Sequence, residues 1–185
     1  MKRAFDLIFA LILTIILFIP LIFIYIAIVI YSVESPIYWS NRIGKNNKIF
    51  RMPKFRSMKI NAPEIATHKL KNPNEWHTSL GSFLRSSSID ELPQIFCIIR
   101  GEMSFVGPRP ALYNQYDLIK MRTERNIHRL LPGITGWAQI NGRDEISIID
   151  KVKYDKYYLD NKSFFLDLKI LWLTIIKVLT SDGVK

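Results

Sequence analysis

The first part of the chain is strongly apolar and carries no charge from Leu7 to Tyr31. A helix that crosses a bilayer needs about 20 apolar residues, so this run predicts a membrane helix. The run is too long for the apolar core of a secretory signal peptide and no small-residue cleavage site follows it, so we expect it to be retained. Pro20 lies near its middle, where a proline removes a backbone hydrogen bond and kinks a helix.

Basic residues flank the apolar run on both sides. Lys2 and Arg3 precede it, and on the far side the acid Glu34 is outnumbered by Arg42, Lys45, Lys48, Arg51, Lys54, Arg56 and Lys59. Because Lys and Arg collect on the cytoplasmic side of membrane helices, a re-entrant hairpin that bends at Pro20 and returns to its own leaflet satisfies both flanks. An ordinary single-pass anchor with a tolerated proline is the alternative, and the sequence leaves both open.

The polar remainder predicts an α+β fold that is mostly α. Residues 36–60 alternate apolar and basic positions, which predicts a short β-hairpin with a cationic face and a turn at residues 41–44. Helices are predicted at 79–86, 89–99 and 112–130, and loops at 61–78, 101–111 and 132–143, where Pro and Gly concentrate. We therefore divide the chain into a re-entrant membrane helix, 1–33, broken at Pro20, and a cytosolic catalytic domain at the membrane interface, 34–185.

An apolar stripe at helical spacing ends the chain. Its members are Phe164, Phe165, Leu168, Leu171, Trp172, Ile175, Ile176 and Leu179. Such a stripe is usual for a core helix, but it also suits an amphipathic helix lying in the membrane interface. Because the N-terminal run already brings the domain to a membrane, we favour interfacial contact.

Composition narrows the class of protein. The chain has 185 residues, 49% of them apolar, and a formal net charge of +10. These values exclude a disordered chain, and the lone Cys97 excludes a disulfide framework. The basic excess points to an anionic partner, either nucleic acid, a phosphate-bearing substrate or an anionic membrane surface.

Asp90 and Glu91 are the first candidates for chemistry. Ser88 and Glu91 have the spacing of a capping box, which would place Asp90 at the second position of a helix, where the dipole favours an anion. A carboxylate there can attack phosphorus, and a neighbouring carboxylate can ligate Mg²⁺. Acids are also simply favoured in a first helical turn, and Glu91 cannot easily both cap the helix and bind a metal.

A second candidate is Arg109, which Pro108 and Pro110 flank. An arginine on a backbone restricted in this way loses little entropy when it grips a phosphate, although an exposed arginine in a proline-rich turn is an equally good interpretation. Glycines at 133, 136 and 142 allow close backbone approach, and Arg143 is a further candidate for phosphate. Other cations complete this inventory: Lys54, Arg56, Lys59 and Arg85.

In their order along the chain, these motifs resemble those of the monotopic phosphoglycosyl transferases, the bacterial sugar transferase family. The resemblance runs over nearly the whole chain, through residues 2–6, Pro20, 54–58, 84–94, 101–110, 132–139 and 141–143. The strings Ser-Phe-Val-Gly-Pro-Arg-Pro and Pro-Gly-Ile-Thr-Gly-Trp-Ala-Gln are highly specific. The departures are small: Glu102 where Asp is common, Pro53, and Leu131 where a basic residue is common.

The resemblance implies transfer of a sugar-1-phosphate from a UDP-sugar to polyprenyl phosphate at the cytoplasmic face of a bacterial inner membrane. It implies Asp90 as the nucleophile that forms a phosphosugar intermediate, Glu91 as the ligand of Mg²⁺, and a re-entrant helix broken at Pro20. Substrate-binding residues would be Lys54, Arg56, Arg85, Pro108, Arg109, Pro110, Gly133, Thr135, Gln139 and Arg143. Downstream glycosyltransferases and a second copy of the chain are further expected partners.

Two other classes of function remain as alternatives. A membrane-anchored nucleic-acid-binding module would use the positive charge, although no nucleic-acid motif supports it and we expect no such partner. A non-catalytic scaffold of a glycan-assembly complex would tolerate substitution of Asp90 and Arg109. The chain lacks the large N-terminal membrane bundle of longer relatives, so we expect a minimal catalytic unit.

Overall fold

The computed structural model describes residues 1–32, 34–63, 72–142 and 146–179. The fold is α+β and mostly helical, as predicted. Its helices are α1 (Lys2–Tyr31), α2 (Gly81–Ser86), α3 (Ile95–Arg100), α4 (Tyr116–Glu124), α5 (Trp137–Ile140), α6 (Ile148–Asn161) and α7 (Phe164–Leu179). Its strands are β1 (Ile37–Ile43), β2 (Ile49–Phe55), β3 (Ser104–Val106) and β4 (Gly133–Thr135). Short 3-10 turns lie at Lys45–Asn47, Pro73–Trp76, Ile89–Gln94 and Ile127–Arg129.

Helix α1 is long and apolar enough to cross a membrane, and most of its surface is exposed. The predicted apolar helix is therefore confirmed. Helix α1 continues through Pro20 as one helix. The re-entrant path stays a prediction.

The start of α1 is fastened to the rest of the fold by polar contacts. The Arg3 guanidinium donates to the carbonyl oxygens of Ile98 (2.6 Å) and Ile99 (3.1 Å) at the end of α3. The buried Asp6 carboxylate accepts from the Ser104 hydroxyl (2.8 Å) and the Phe105 amide (3.2 Å). These bonds satisfy a buried charge and orient the helix against β3.

The end of α1 also contacts the rest of the fold. Ile28 is buried in a cluster with Phe55 of β2 and Leu84 of α2. Ala10, nearer the start, belongs to a different cluster with Ile98 and Met103. Both halves of α1 thus pack against the unit that follows it.

The predicted β-hairpin is confirmed, with β1 and β2 paired antiparallel. The turn, however, lies at residues 44–48 and not at 41–44, because β1 continues until Ile43 pairs with Ile49. Asn46 and Asn47 adopt positive φ there, a conformation that asparagine tolerates well. On the exposed side, the Arg51 guanidinium lies over the Trp39 ring at 5.2 Å.

Two segments predicted as loops contain strands. β3 and β4 pair in parallel, with Ser104 opposite Gly133 and Val106 opposite Thr135. The prediction failed because three-residue strands carry no detectable alternation of apolar and polar positions. The prediction of one helix over 112–130 was also too long, since α4 ends at Glu124 and a separate 3-10 turn follows.

Helix α7 exposes most of its apolar stripe. Phe165, Trp172 and Ile175 are exposed, whereas Ile170, which lies off the stripe, is fully buried. The stripe therefore does not serve as a core face within the part of the chain that the structure describes. An exposed apolar face of this size suits a partner surface or a lipid interface.

Candidate active site

Asp90 and Glu91 lie in the 3-10 turn Ile89–Gln94, directly after Ser88. The predicted capping box was wrong: Ser88 has φ +58° and its side chain makes no capping hydrogen bond. A capping serine normally adopts an extended conformation that points its oxygen at the free amides of the first turn. The left-handed conformation of Ser88 prevents that geometry and leaves the Glu91 side chain available for other contacts.

Glu91 is held by two cations from distant segments. Its Oε1 accepts from Lys54 Nζ of β2 at 2.7 Å and from Arg109 Nη2 at 2.7 Å. Its Oε2 lies 3.4 Å from Arg109 Nη1. Lys54 and Arg109, both predicted as phosphate-binding residues, therefore meet at this one carboxylate.

Asp90 is more buried than Glu91 and less well paired. Its side chain is 7% exposed, and Lys54 Nζ lies 4.0 Å from its Oδ2. The same ammonium lies closer to Glu91, at 2.7 Å from its Oε1. A carboxylate that is less tightly paired with a cation is a stronger nucleophile, so Asp90 is the better placed of the two for attack.

The two carboxyl groups have pKa values displaced in opposite directions. Burial raises the pKa of Asp90, and the positive charge of Lys54 only partly opposes this effect. Burial alone would also raise the pKa of Glu91, but the charges of Arg109 and Lys54 hold it well below its usual range. The ionised form is therefore favoured more strongly at Glu91 than at Asp90.

The loop that carries Arg109 is held by its backbone. The carbonyl oxygens of four consecutive residues, 108–111, each accept a hydrogen bond from a different part of the fold. The donors are the Gly133 amide to Pro108 (2.9 Å), Arg122 Nη1 to Arg109 (2.8 Å), Arg42 Nη1 to Pro110 (3.2 Å) and the Ile43 amide to Ala111 (2.9 Å). The predicted restraint by Pro108 and Pro110 is only part of what fixes this arginine.

Three further predicted residues lie elsewhere or are differently engaged. Arg85 lies at the end of α2, and its positive charge lowers the pKa of Asp90, so it belongs to the site's surroundings. Arg56 donates to the Ser35 carbonyl oxygen at 2.6 Å and lies 3.8 Å from a Glu34 oxygen. Arg143 lies outside the described residues.

Gly133 and Thr135 of β4 have structural partners. A Cβ on Gly133 would come within 2.1 Å of the Gly107 amide nitrogen, so this glycine permits the close pairing of β3 and β4. The Thr135 hydroxyl lies 2.7 Å from the Thr174 hydroxyl of α7. Their predicted contact with substrate stays a prediction.

Two buried glutamines carry unpaired polar atoms. Within the described ranges, Gln139 has no hydrogen-bond partner for its Nε2 or its Oε1, and Gln94 has none for its Nε2. Gln139 was predicted as a substrate-binding residue, whereas Gln94, which shares the 3-10 turn of Asp90, was not. Unpaired buried amides are costly, so both side chains are available to a polar ligand.

The described residues contain no group of three or more His, Cys, Asp or Glu that could hold a metal ion. Magnesium, however, is commonly bound by one or two carboxylates together with phosphate oxygens of a substrate. Glu91 Oε2 has only the 3.4 Å contact with Arg109 in the described part of the chain. The donor chemistry of this oxygen therefore fits a magnesium ion that arrives with a diphosphate.

A family model described as bacterial sugar transferase matches residues 1–181. The chain belongs to this family. It is 43% identical to the uncharacterized sugar transferase EpsL of Bacillus subtilis, over 100% of this chain and 90% of that protein. It is 37% identical to the UDP-N-acetylgalactosamine-undecaprenyl-phosphate N-acetylgalactosaminephosphotransferase of Aeromonas hydrophila, over 100% of this chain and 45% of that protein.

A third relative is the UDP-glucose:undecaprenyl-phosphate glucose-1-phosphate transferase of Escherichia coli, 35% identical over 96% of this chain and 40% of that protein. The predicted family is thus confirmed, and so is the prediction that this bacterial sugar transferase is an enzyme of the phosphoglycosyl transferase type. The scaffold and nucleic-acid alternatives lose their support. The apolar helix α1 agrees with association with a membrane.

Residues outside the motifs also build the site, and sequence reasoning missed them. Arg122 of α4 donates to the Arg109 carbonyl oxygen, and Arg42 of β1 donates to the Pro110 carbonyl oxygen. Asp155 of α6 pairs with Arg122 at 2.6 Å. No local pattern marks a pairing between residues so far apart along the chain. The structure alone brings these side chains to the loop.

Proposed function

We propose that this transferase moves a sugar-1-phosphate from a UDP-sugar to undecaprenyl phosphate, and so makes the first lipid-linked intermediate of a bacterial glycan. The substrates named for the relatives from Aeromonas hydrophila and Escherichia coli support the two substrate classes. The observation that carries the proposal is a buried Asp90 carboxylate, 4.0 Å from Lys54 Nζ, beside a second carboxylate, Glu91, whose Oε1 accepts from both Lys54 and Arg109. Such a site can both attack phosphorus and balance phosphate charge.

In the first step, an Asp90 Oδ atom attacks the phosphorus that bears the sugar. The bond from this phosphorus to the bridging oxygen breaks, and UMP leaves with the electron pair. The product on the enzyme is an acyl phosphate that links Asp90 to the sugar-1-phosphate. Arg109 and Lys54, already at the site, would stabilise the charge on the transferring phosphoryl group.

In the second step, a phosphate oxygen of undecaprenyl phosphate attacks the same phosphorus. The bond to Asp90 breaks, the carboxylate is regenerated, and the sugar leaves on a polyprenyl diphosphate. Dividing the transfer in this way means that the two bulky substrates need not occupy the site together. The proposed nucleophile thus returns to its starting state after each cycle.

Glu91 Oε2, with phosphate oxygens of the donor, would hold Mg²⁺ in this proposal. The ion would supply positive charge there that offsets the negative charge of the diphosphate. Lys54 and Arg109 keep Glu91 ionised, which is the state a metal ligand needs.

We further propose that α1 enters and leaves the cytoplasmic leaflet of the inner membrane as a re-entrant helix bent at Pro20. The contacts of Arg3 and Ile28 support this path, since residues near both ends of α1 pack against the same catalytic unit. Basic residues on both flanks also favour the cytoplasmic side. The exposed apolar face of α7 would lie in the same interface and bring the site to headgroup depth.

The test replaces the proposed nucleophile. Asp90→Asn keeps the size of the side chain but removes its charge, and it should abolish UMP release from a UDP-sugar in the presence of Mg²⁺ and undecaprenyl phosphate. Asp160→Asn is the matched control, because Asp160 is exposed and pairs only with Lys156 among the described contacts. That variant should keep full activity, and both should fold.

The intermediate has a direct test by mass spectrometry. Wild-type enzyme is incubated with a UDP-sugar in the absence of the acceptor, and the reaction is then quenched. The peptide that contains Asp90 should carry a phosphosugar adduct. Turnover without such an adduct, or full activity in Asp90→Asn, would overturn the covalent mechanism.

A further inference from the structure

Arg122 connects the loop that carries Arg109, residues 108–111 (the catalytic loop), to a buried ion pair. It lies on α4 with only 9% of its side chain exposed, and it faces Asp155 of α6, which is 2% exposed. Arg122 Nε and Nη2 both donate to Asp155 Oδ2, at 2.9 and 2.6 Å. Its remaining nitrogen, Nη1, donates to the backbone carbonyl oxygen of Arg109 at 2.8 Å. All three guanidinium nitrogens are therefore engaged.

This arrangement leads directly to Glu91. Pro108 and Pro110 restrict the backbone on either side of Arg109, so a displacement at its carbonyl moves the side chain with it. That side chain ends on the Glu91 carboxylate at 2.7 Å. A continuous series of contacts thus joins Asp155, Arg122, Arg109 and Glu91.

We infer that Arg122, oriented by Asp155, is a positioning residue that sets the direction of the Arg109 guanidinium for the transfer reaction. A rigid, planar guanidinium is suited to this task because it binds a carboxylate and a carbonyl oxygen at the same time. A lysine in its place keeps the charge beside Asp155, but all its donors are on one nitrogen, so it loses the forked arrangement in which separate nitrogens engage the two acceptors. The kinetic side of the inference rests on the proposed transfer reaction.

The first test compares Arg122→Lys with the wild type by UMP release, using the full chain and the UDP-sugar that gives the highest turnover in a panel. If Arg109 stabilises the transferring phosphoryl group, its misplacement lowers kcat about 10- to 100-fold. KM for the UDP-sugar should change less than about threefold, because the contact strengthens in the transition state.

A double-mutant cycle separates positioning from a general loss of structure. In an Arg109→Lys background, adding Arg122→Lys should lower kcat less than about threefold, since the residue through which Arg122 acts is already altered. An equal loss in both backgrounds would overturn the inference. So would an unchanged kcat in Arg122→Lys.

Ile170→Val is the matched stability control. Ile170 is fully buried on α7 in a hydrophobic cluster and takes no part in the series of contacts from Asp155 to Glu91, so this variant should lower Tm and leave kcat within about twofold. A loss of kcat in Ile170→Val equal to that of Arg122→Lys would show that destabilisation alone explains the effect.

Hydrogen exchange gives a readout that does not depend on activity. The amides of Ile43 and Gly133 donate to the carbonyls of Ala111 and Pro108 in the same loop, so they should exchange faster in Arg122→Lys and not in Ile170→Val. Unchanged exchange would contradict the inference.

If the wild type releases no UMP from any UDP-sugar, the proposed function fails, while the exchange data still decide whether Arg122 holds the loop. If Arg122→Lys does not fold, Asp155→Asn replaces it in every measurement.

Discussion

Two adjacent carboxylates, Asp90 and Glu91, have different environments and so different chemistry. Glu91 takes the bonds of both Lys54 and Arg109, while Asp90 has Lys54 only at 4.0 Å. Burial raises the pKa of Asp90, and the positive charges of Lys54, Arg85 and Arg109 oppose this effect only in part. Opposite displacement of two neighbouring pKa values is a common way for enzymes to divide roles between carboxyl groups.

The pH dependence of turnover follows from the Asp90 carboxyl. As the proposed nucleophile, Asp90 must be ionised to attack, and because its pKa is raised we expect activity to be lost at a higher pH than for an unperturbed aspartate. Lys54→Met removes the positive charge that opposes this shift, so the acid limb of kcat/KM should move to higher pH. Measurement of UMP release across a pH series checks the direction.

The control for this prediction is Lys59→Met, since Lys59 is exposed and donates to the Glu75 carbonyl oxygen. Its acid limb should coincide with that of the wild type. In Lys54→Met, the acid limb of the kcat/KM profile could instead stay in place or move to lower pH. Either result would contradict the assignment of Asp90 as the group that titrates.

The parallel pair β3 and β4 is the element on which the catalytic loop is built. Gly107 follows β3 directly, and its amide donates to the Thr135 carbonyl oxygen of β4 at 2.9 Å. Cβ atoms on Gly133 and Gly136 would lie 2.1 Å from backbone atoms of Gly107. Glycine is required here because the two backbones approach more closely than any side chain allows.

Gly133→Ala should therefore destabilise the fold. Overpacking against backbone typically costs about 1–3 kcal/mol, which lowers Tm by several degrees in a chain of this size. Thermal unfolding measures the effect. Gly44→Ala is the control, because its added Cβ would lie 3.0 Å from the Phe50 ring and 3.2 Å from the Lys48 carbonyl oxygen, which are longer contacts and should cost less. Equal Tm values for the two variants would contradict the explanation.

At the level of the whole protein, apolar surface and positive charge occupy different segments. α1 and α7 expose most of the large apolar side chains, whereas basic residues dominate the chain from Arg42 to Lys59. A protein with this division rests well at an anionic membrane surface, with aliphatic groups in the leaflet and cations toward headgroups and phosphate substrates.

The proposed membrane path has a labelling test. Single cysteines at Ala4 and Lys45, both exposed, lie on opposite sides of the apolar run, and the native Cys97 is buried. A membrane-impermeant maleimide should label both positions in inverted inner-membrane vesicles and neither in intact spheroplasts. Labelling of the two positions from opposite sides would exclude the re-entrant path and favour a single-pass anchor.

Much of the fold could be predicted where the signal is local. The uncharged run from Leu7 to Tyr31 defines α1, and alternation defines the β1–β2 hairpin. The capping box at Ser88 was wrong because one left-handed residue changes what the same side chains can reach. β3 and β4 were missed because strands of three residues take their stability from pairing and not from their own sequence.

The amino-acid order was sufficient for the family, the membrane helix and the presence of two candidate carboxylates with basic residues to accompany them. Only the folded structure shows that Lys54 and Arg109 both bind Glu91 and not Asp90 at hydrogen-bond distance. It also shows that the buried ion pair of Arg122 on α4 and Asp155 on α6 contacts the loop that carries Arg109. The physical reason is that the interaction between two charged side chains depends on the distance between them, and the cost of desolvating each depends on its burial. For residues that lie far apart along the chain, folding sets both the distance and the burial.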